Sequence, residues 1–274
     1  MRMLAPTVAT VLVTGAFATC SRRGVVVFTG EVRGDVHTWE SAKRHLVDTN
    51  QFDVIVDTWS TSLDTQQLIE ATLQPCDAFY QPYTTEWKQQ VVAVEPRFQL
   101  IGDTLYTISP SETKHVVDQF YRLWHSASLL AKYNHEVVVR VRFDAYFTAN
   151  VTIPDKLPPN SVFAFLEWNY RYDEGEADPV CPKMMMNDFY AYGDYWGMRT
   201  YNDVFPVMFR VLHAMQQDPG FRHWWDVGNI RAPGTFLANA ESFLAWRLRL
   251  ANVSCHHVEN PFCLHRQHGS EWTC

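Results

Sequence analysis

The stretch 109–144, SPSETKHVVDQFYRLWHSASLLAKYNHEVVVRVRFD, runs from a capped amphipathic helix straight into an apolar strand, and that order decides the fold class. Ser109 suits the cap, Pro110 the first helical position, and Glu112 completes a Ser-x-x-Glu box. Val116, Phe120, Leu123, Trp124, Ala127 and Leu130 then fall on one apolar stripe, so the spacing predicts a helix over 110–133. Asn134 leads out of it into 136–142, a Val-rich run with the continuous apolar pattern of a strand buried on both faces.

The same alternation extends upstream. Residues 25–28 read as a buried strand ending at Thr29-Gly30, and 37–47 as a helix carrying Trp39, Ala42, Leu46 and Val47 inward. A strand over 52–56 closes at Asp57. A helix over 63–73 puts Leu68, Ile69 and Leu73 on one side and stops before Pro75, and 77–80 reads as a third strand. Strand and helix alternating over 25–144 predict an α/β, Rossmann-like fold with a mostly parallel central sheet flanked by helices. Downstream the pattern predicts strands at 161–166, 189–192 and 253–258 and helices at 196–215 and 242–250. Loops fall at 170–183 and 219–234, and Met184-Met185-Met186 reads as core. No repeat and no long linker interrupts 25–274, which reads as one domain.

Composition narrows the class. Hydrophobic residues make up 47% and charged residues 19%, which excludes a disordered chain. Ten Trp suit stacking on the C–H face of a sugar, although large aromatics serve equally as core. The net charge of −7 comes without any Lys/Arg run, which argues against a nucleic-acid partner. A phosphate-bearing ligand would therefore be met by a few placed arginines and a metal.

Residues 4–19 are apolar, with Arg2 before them and Arg22-Arg23 after, and are too short for a comfortable membrane span. Ala16-Phe17-Ala18 fits a cleavage site, so 1–24 read as a signal peptide, with an uncleaved signal anchor and membrane association as the rival. None of the six Cys has zinc-ribbon spacing. Cys255, Cys263 and Cys274 crowd the C-terminus, where a disulfide would suit an oxidising lumen. Asn150-Val151-Thr152 and Asn252-Val253-Ser254 match the N-glycosylation pattern. Together these features lean towards the secretory route.

In open α/β sheets ligands bind beyond the carboxyl ends of strands, where the strand order reverses. The polar residues there are Gly30 to Arg33, then Asp57-Thr58-Trp59, then Arg142-Phe143-Asp144. Arg140 and Arg142 share one face of their strand, with Asp144 at its exit. A carboxylate at that point can hold Mg²⁺ or Mn²⁺, and arginines can bind the same phosphates bidentately. The plainer reading is an Arg–Asp ion pair closing the strand.

Four motifs in order, Gly30-x-x-Arg33, the run 52–59 ending Asp57-Thr58-Trp59, the run 139–144, and Asn187-Asp188 through Gly193, resemble a group of glycosyltransferase-like proteins of algae, bacteria and large algal viruses. The resemblance covers roughly 25–266, with Cys263-Leu264-His265-Arg266 as the tail. In that group Arg-x-Arg-x-Asp stands where other GT-A enzymes carry Asp-x-Asp, and here a carboxylate is missing at Arg142. The resemblance implies a GT-A catalytic domain that moves a sugar from a nucleotide-sugar donor to a glycan or protein-linked acceptor, assisted by Mn²⁺ or Mg²⁺.

It further implies that Gly30, Arg33, Asp57, Thr58, Trp59, Arg140, Arg142, Asn187, Gly193 and Arg266 line the donor site. Asp57 would lie near the base or ribose, Gly193 near the donor sugar, and Asp144 and His265 would serve the metal. For the base that deprotonates the acceptor hydroxyl, Glu241 at a helix start and Asp188 compete. The setting implied is the ER or Golgi lumen, or the cytoplasm were the chain viral.

Other classes remain in view. A non-catalytic nucleotide-sugar or carbohydrate binder on the same fold is the principal alternative. A nucleotide-binding oxidoreductase is disfavoured, because 29–34 lacks Gly-x-Gly-x-x-Gly.

Overall fold

The computed structural model describes residues 19–83, 98–101, 104–107, 116–167, 185–217, 240–259, 262–265 and 272–273. Its first half is β1 (Gly24–Gly30), α1 (Val36–Ala42) continuing into a wider helical turn (Lys43–Asp48), β2 (Asp53–Trp59), α2 (Leu63–Leu73) and β3 (Asp77–Gln81). A hairpin of β4 (Phe98–Ile101) and β5 (Thr104–Thr107) follows, then α3 (Val116–Leu130) and β6 (Val137–Val141). The second half holds β7 (Ala145–Phe147), β8 (Ser161–Glu167), β9 (Met185–Asp194), α4 (Tyr195–Asn202), α5 (Met208–Gln217), α6 (Ala240–Leu250), β10 (Ser254–His257), β11 (Phe262–His265) and β12 (Trp272–Thr273).

Seven strands form one sheet in the order β10-β8-β9-β6-β1-β2-β3. β1 lies parallel to both neighbours, with Val27 opposite Ile55 of β2 and Arg140 of β6. The chain therefore steps outward from β1 to β3 and returns on the other side of β1, which makes the β1/β6 boundary the switch point of the sheet. β9 alone runs against the rest, paired antiparallel with both β6 and β8. The fold is thus an α/β fold with a mostly parallel central sheet flanked by helices.

Strand alternation sorts the core into two layers. Val25 and Val27 face Phe120 and Leu123 of α3, while Val26 and Phe28 face Trp39, Ala42 and Leu46 on the α1 side. The helix read over 37–47 therefore buries its four marker residues, including Val47, as its spacing requires. α2 starts where Ser62 accepts from the Thr65 amide at 3.2 Å, and it ends on Gln74 at φ 49°.

Several expectations need correction. Leu68 is 46% exposed, so α2 docks through Ile69 and Leu73 only. The single helix read over 196–215 is two helices, because Pro206 forces a short 3₁₀ turn (Phe205–Val207) between α4 and α5. β9 is longer than the strand read at 189–192 and takes in Met186, which is fully buried. The small sheet β12-β11-β7 was not legible in the pattern. The cap at 109–112 and the loops at 170–183 and 219–234 lie outside the described residues.

Residues 20–24 are tied into the folded body. Cys20 is disulfide-bonded to Cys76, the Arg22 amide donates to Asp53 at 2.7 Å, and β1 begins at Gly24. Among the described residues no helix is long and apolar enough to cross a membrane.

Candidate functional site

Two loops meet at the switch point. The loop after β1 turns at Gly30, φ 113°, where a Cβ would face open space, and again at Gly34, φ 77°. A Cβ on Gly34 would stand 2.9 Å from the Phe143 carbonyl oxygen, so this loop lies against the turn that follows β6. Thr58 Oγ1 donates to the Gly30 carbonyl at 2.6 Å and ties the end of β2 to the same place. Asp35 caps α1 through the Thr38 amide at 3.0 Å, which fixes the far side of the loop.

At the exit of β6 the guanidinium of Arg142 lies across the carboxylate of Asp144, with Nε 2.9 Å from Oδ1 and Nη2 2.6 Å from Oδ2. Its Nη1 stands 3.6 Å from Asp188 Oδ2, and the guanidinium carbon sits 4.2 Å from the centre of the Phe189 ring. β9 carries Asp188 to this point because its backbone pairs with β6, the Arg142 amide donating to the Phe189 carbonyl at 3.0 Å. α3 leads into the start of β6, so it runs against that strand and its first turns lie over the strand's exit. There the Gln119 amide donates to the same Asp188 oxygen.

Two residues before Arg142, Arg140 sits on the α3 side of the sheet, on the same strand face as Val138. It is 2% exposed, and its Nε and Nη1 have no hydrogen-bond partner among the described residues. Buried guanidinium N–H groups without an acceptor are costly, which marks this position as one where an anion would be stabilised.

Beside this lies a second polar cluster that the sequence reading missed. Asp57 is fully buried on the α3 side of β2. Its Oδ1 accepts from Arg122 Nη1 at 2.8 Å and contacts His125 Nδ1 at 2.9 Å; its Oδ2 accepts from Ser126 Oγ at 2.6 Å. Burial alone would raise the Asp57 carboxyl, but His125, Arg122 and Ser126 more than offset it and hold it below its ordinary value. Burial likewise lowers Arg122, against the pull of Asp57. The Arg122 guanidinium also stacks 3.6 Å from the Trp59 ring, which lies parallel to Tyr121 at 6.0 Å. The available signal was the polar series 119, 122 and 126, which runs at helical spacing beside the apolar stripe of α3.

Asp57 was expected near a base or ribose. Instead both its oxygens are taken by α3, because the carboxylate points under the helix rather than beyond the strand. Gly193 also departs from expectation. It pairs with Val138 near the start of β6, at the opposite end of the sheet, and a Cβ there would come within 2.2 Å of the Ser161 carbonyl. The missing side chain lets β9 lie close to Ser161 there. Arg33 is half-exposed and bonded to Glu31, Nε at 3.0 Å, the plain surface pair.

Asn187 and Asp188 lie on the part of β9 near the β6 exit. Glu241 lies in the first turn of α6, two residues before Phe243, whose ring meets Phe120 at 5.2 Å beside Gln119. His265 is next in register beyond the Leu264–Ala145 pair, on the side of Asp144. Arg266 lies outside the described residues.

A divalent cation fits the described side chains poorly. Arg142 occupies both oxygens of Asp144 and approaches Asp188, whose oxygen is also bonded by Gln119. Among the described residues no three or more His, Cys, Asp or Glu side chains gather as a metal-binding group.

No family model matches the sequence, and no curated protein matches it. Among solved structures the fold overlaps the galactosyltransferase LgtC in complex with donor and acceptor sugar analogues, at 11% identity over 86% of this chain and 73% of that one, TM-score 0.47. An active-site mutant of LgtC overlaps at 10% identity, covering 86% and 72%, TM-score 0.47. The apo form of the glycosyltransferase GlyE from Streptococcus pneumoniae overlaps at 10% identity, covering 86% and 45%, TM-score 0.39. At these values the likeness assigns neither residues nor activity.

Proposed function

We propose that this chain binds a nucleotide-sugar donor at the β1/β6 switch point and transfers the sugar, as a hexosyl or pentosyl unit, to a hydroxyl of a glycan or protein-linked acceptor. The observation that carries the reading is Arg140, a buried guanidinium whose Nε and Nη1 are unpartnered among the described residues, on the strand that borders the crevice. Guanidinium groups match phosphate geometry, so Arg140 would bond the donor diphosphate, with Arg142 adding positive charge beside it. Gly30 and the end of β2 would line the nucleotide side, and the Gly30 position leaves room for close approach. The resemblance of the four ordered motifs to those of the glycosyltransferase-like group supports the same reading.

In the chemical step a carboxylate takes the acceptor proton as the hydroxyl oxygen attacks the anomeric carbon and the nucleoside diphosphate leaves. Asp188 is committed to Gln119 and Arg142, which leaves Glu241 as the better base. The test is a panel of nucleotide sugars titrated into the protein, with released nucleoside diphosphate followed alongside. Binding with release supports transfer or hydrolysis. Binding without release would favour the non-catalytic reading, and no binding to any member would sink both.

The compartment belongs to the same proposal. Cys20 and Cys76 are bonded to each other, and Cys255 and Cys263 are disulfide-bonded too, which suits an oxidising lumen such as the ER or Golgi. Asn150 and Asn252, the acceptor positions of the two sequons, are both exposed. Expression in a secreting eukaryotic cell should give a mass shift removed by peptide N-glycosidase. An unshifted product with reduced cysteines would refute the luminal assignment.

A further inference from the structure

A divalent metal that serves a diphosphate is held by carboxylates converging from neighbouring strand ends, with oxygen ligands at about 2.0–2.6 Å. Here two carboxylates do converge: Asp144 from the exit of β6 and Asp188 from β9, both 4% exposed. The centre between them is taken. Arg142 spans Asp144 with two hydrogen bonds of 2.9 and 2.6 Å and reaches to 3.6 Å from Asp188. The Phe189 ring, 4.2 Å from the guanidinium carbon, closes another side of the group. Arg142 is thereby fixed from several directions, and only 20% of its side chain meets solvent.

We propose that Arg142 stands in the metal's position and that this chain binds the diphosphate of its donor without a divalent cation. The inference rests on the nucleotide-sugar reading above and extends it to how the phosphate charge is met. A cation entering the site would have to displace the guanidinium or lie against it, a like-charge contact in a partly desolvated setting. A guanidinium cannot lose its proton at any working pH, so its charge is as permanent as that of a metal. It differs in being covalently tethered, and it needs no exchange with solution. The negative charge of Asp144 and Asp188 is spent on orienting Arg142. The donors left for the ligand are those of Arg140, two residues earlier on the same strand face.

The deciding experiment uses Mn²⁺ alone and uridine or guanosine diphosphate as probes on the full folded chain. Mn²⁺ binding is read by electron paramagnetic resonance and nucleotide binding by calorimetry. Wild-type protein should leave Mn²⁺ free, and diphosphate affinity should be the same in EDTA and in excess Mn²⁺. Arg142→Ala exposes two carboxylates with no cation between them and should gain a bound-Mn²⁺ signal that wild type lacks. Arg142→Lys keeps the charge and should not gain it, with circular dichroism reporting that each variant is folded.

Mn²⁺ bound by wild type, or diphosphate binding that vanishes in EDTA, overturns the proposal. A folded Arg142→Ala that gains no Mn²⁺ overturns the placement between the carboxylates. If no nucleotide binds under any condition, the nucleotide-sugar reading fails, and the Mn²⁺ arms still decide whether Arg142 fills the metal position.

Discussion

Arg122 Nη1 donates to Asp57 Oδ1 at 2.8 Å, joining α3 to β2 across 65 residues, and the two side chains are 1% and 0% exposed. Ser126 and His125 complete the shell of Asp57 from the same helix. The node works as a polar rivet between one helix and the sheet. Removing the carboxylate strands a buried guanidinium whose Nε and Nη2 already lack partners among the described residues. Asp57→Asn should therefore cost about 3–5 kcal/mol of stability, the usual loss when one side of a buried pair is removed. Urea unfolding of the two proteins measures it, and a change within error would show that the pair contributes nothing.

The same carboxylate sets a pH dependence. Its folded value lies below the ordinary 3.8, so the folded state releases the proton more readily than the unfolded chain. The stabilisation is fully present above that ordinary value and is lost as the pH falls through the lower folded value. Unfolding free energy measured at stepped acid pH should drop in this window for wild type. In Asp57→Asn the drop should be smaller. Identical slopes would remove Asp57 from the acid transition.

Arg140→Met separates binding from stability. Replacing a buried cation whose Nε and Nη1 lack partners among the described residues by an apolar chain of similar length is neutral or stabilising, by up to about 4 kcal/mol. Loss of charged hydrogen bonds to phosphate should meanwhile weaken nucleoside diphosphate binding about ten- to hundredfold. A variant that melts earlier and binds normally would assign Arg140 to structure.

Glu241→Gln should lower turnover by roughly 10²–10⁴-fold with donor affinity little changed, the usual effect of losing a general base. Asp188→Asn, which loosens Arg142, should act on donor binding first. Steady-state rates set against calorimetric affinities distinguish the two, and the reverse pattern would exchange their roles.

The Cys20–Cys76 disulfide spans a sequence separation of 56 and fixes the segment leading into β1 to the turn before β3. By loop-closure entropy its removal should cost about 4 kcal/mol. The paired Cys20→Ser, Cys76→Ser variant tests this by its melting temperature against wild type. Equal melting temperatures would show that β1 needs no such anchor.

Local periodicity carried most of the architecture. The Val-rich run of β6 and the apolar series 116–130 are legible because side-chain direction repeats every two residues in a strand and every 3.6 in a helix. For the same reason Arg140 and Arg142 could be assigned to one strand face, and Asp144 to the exit of that strand, from the sequence alone. What the chain pattern does not contain is which distant residue lies across from which. Asp188 reaches Arg142 only because β9 enters the sheet antiparallel, between β6 and β8. Asp57, which reads as an open strand-end carboxylate, is sealed by α3 because the helix crosses that face of the sheet. Gly193 reads as a site glycine, yet it sits at the far end because the direction of β9 is reversed. Residue chemistry and spacing are written along the chain, whereas strand direction, sheet order and helix docking are settled by packing the whole core at once.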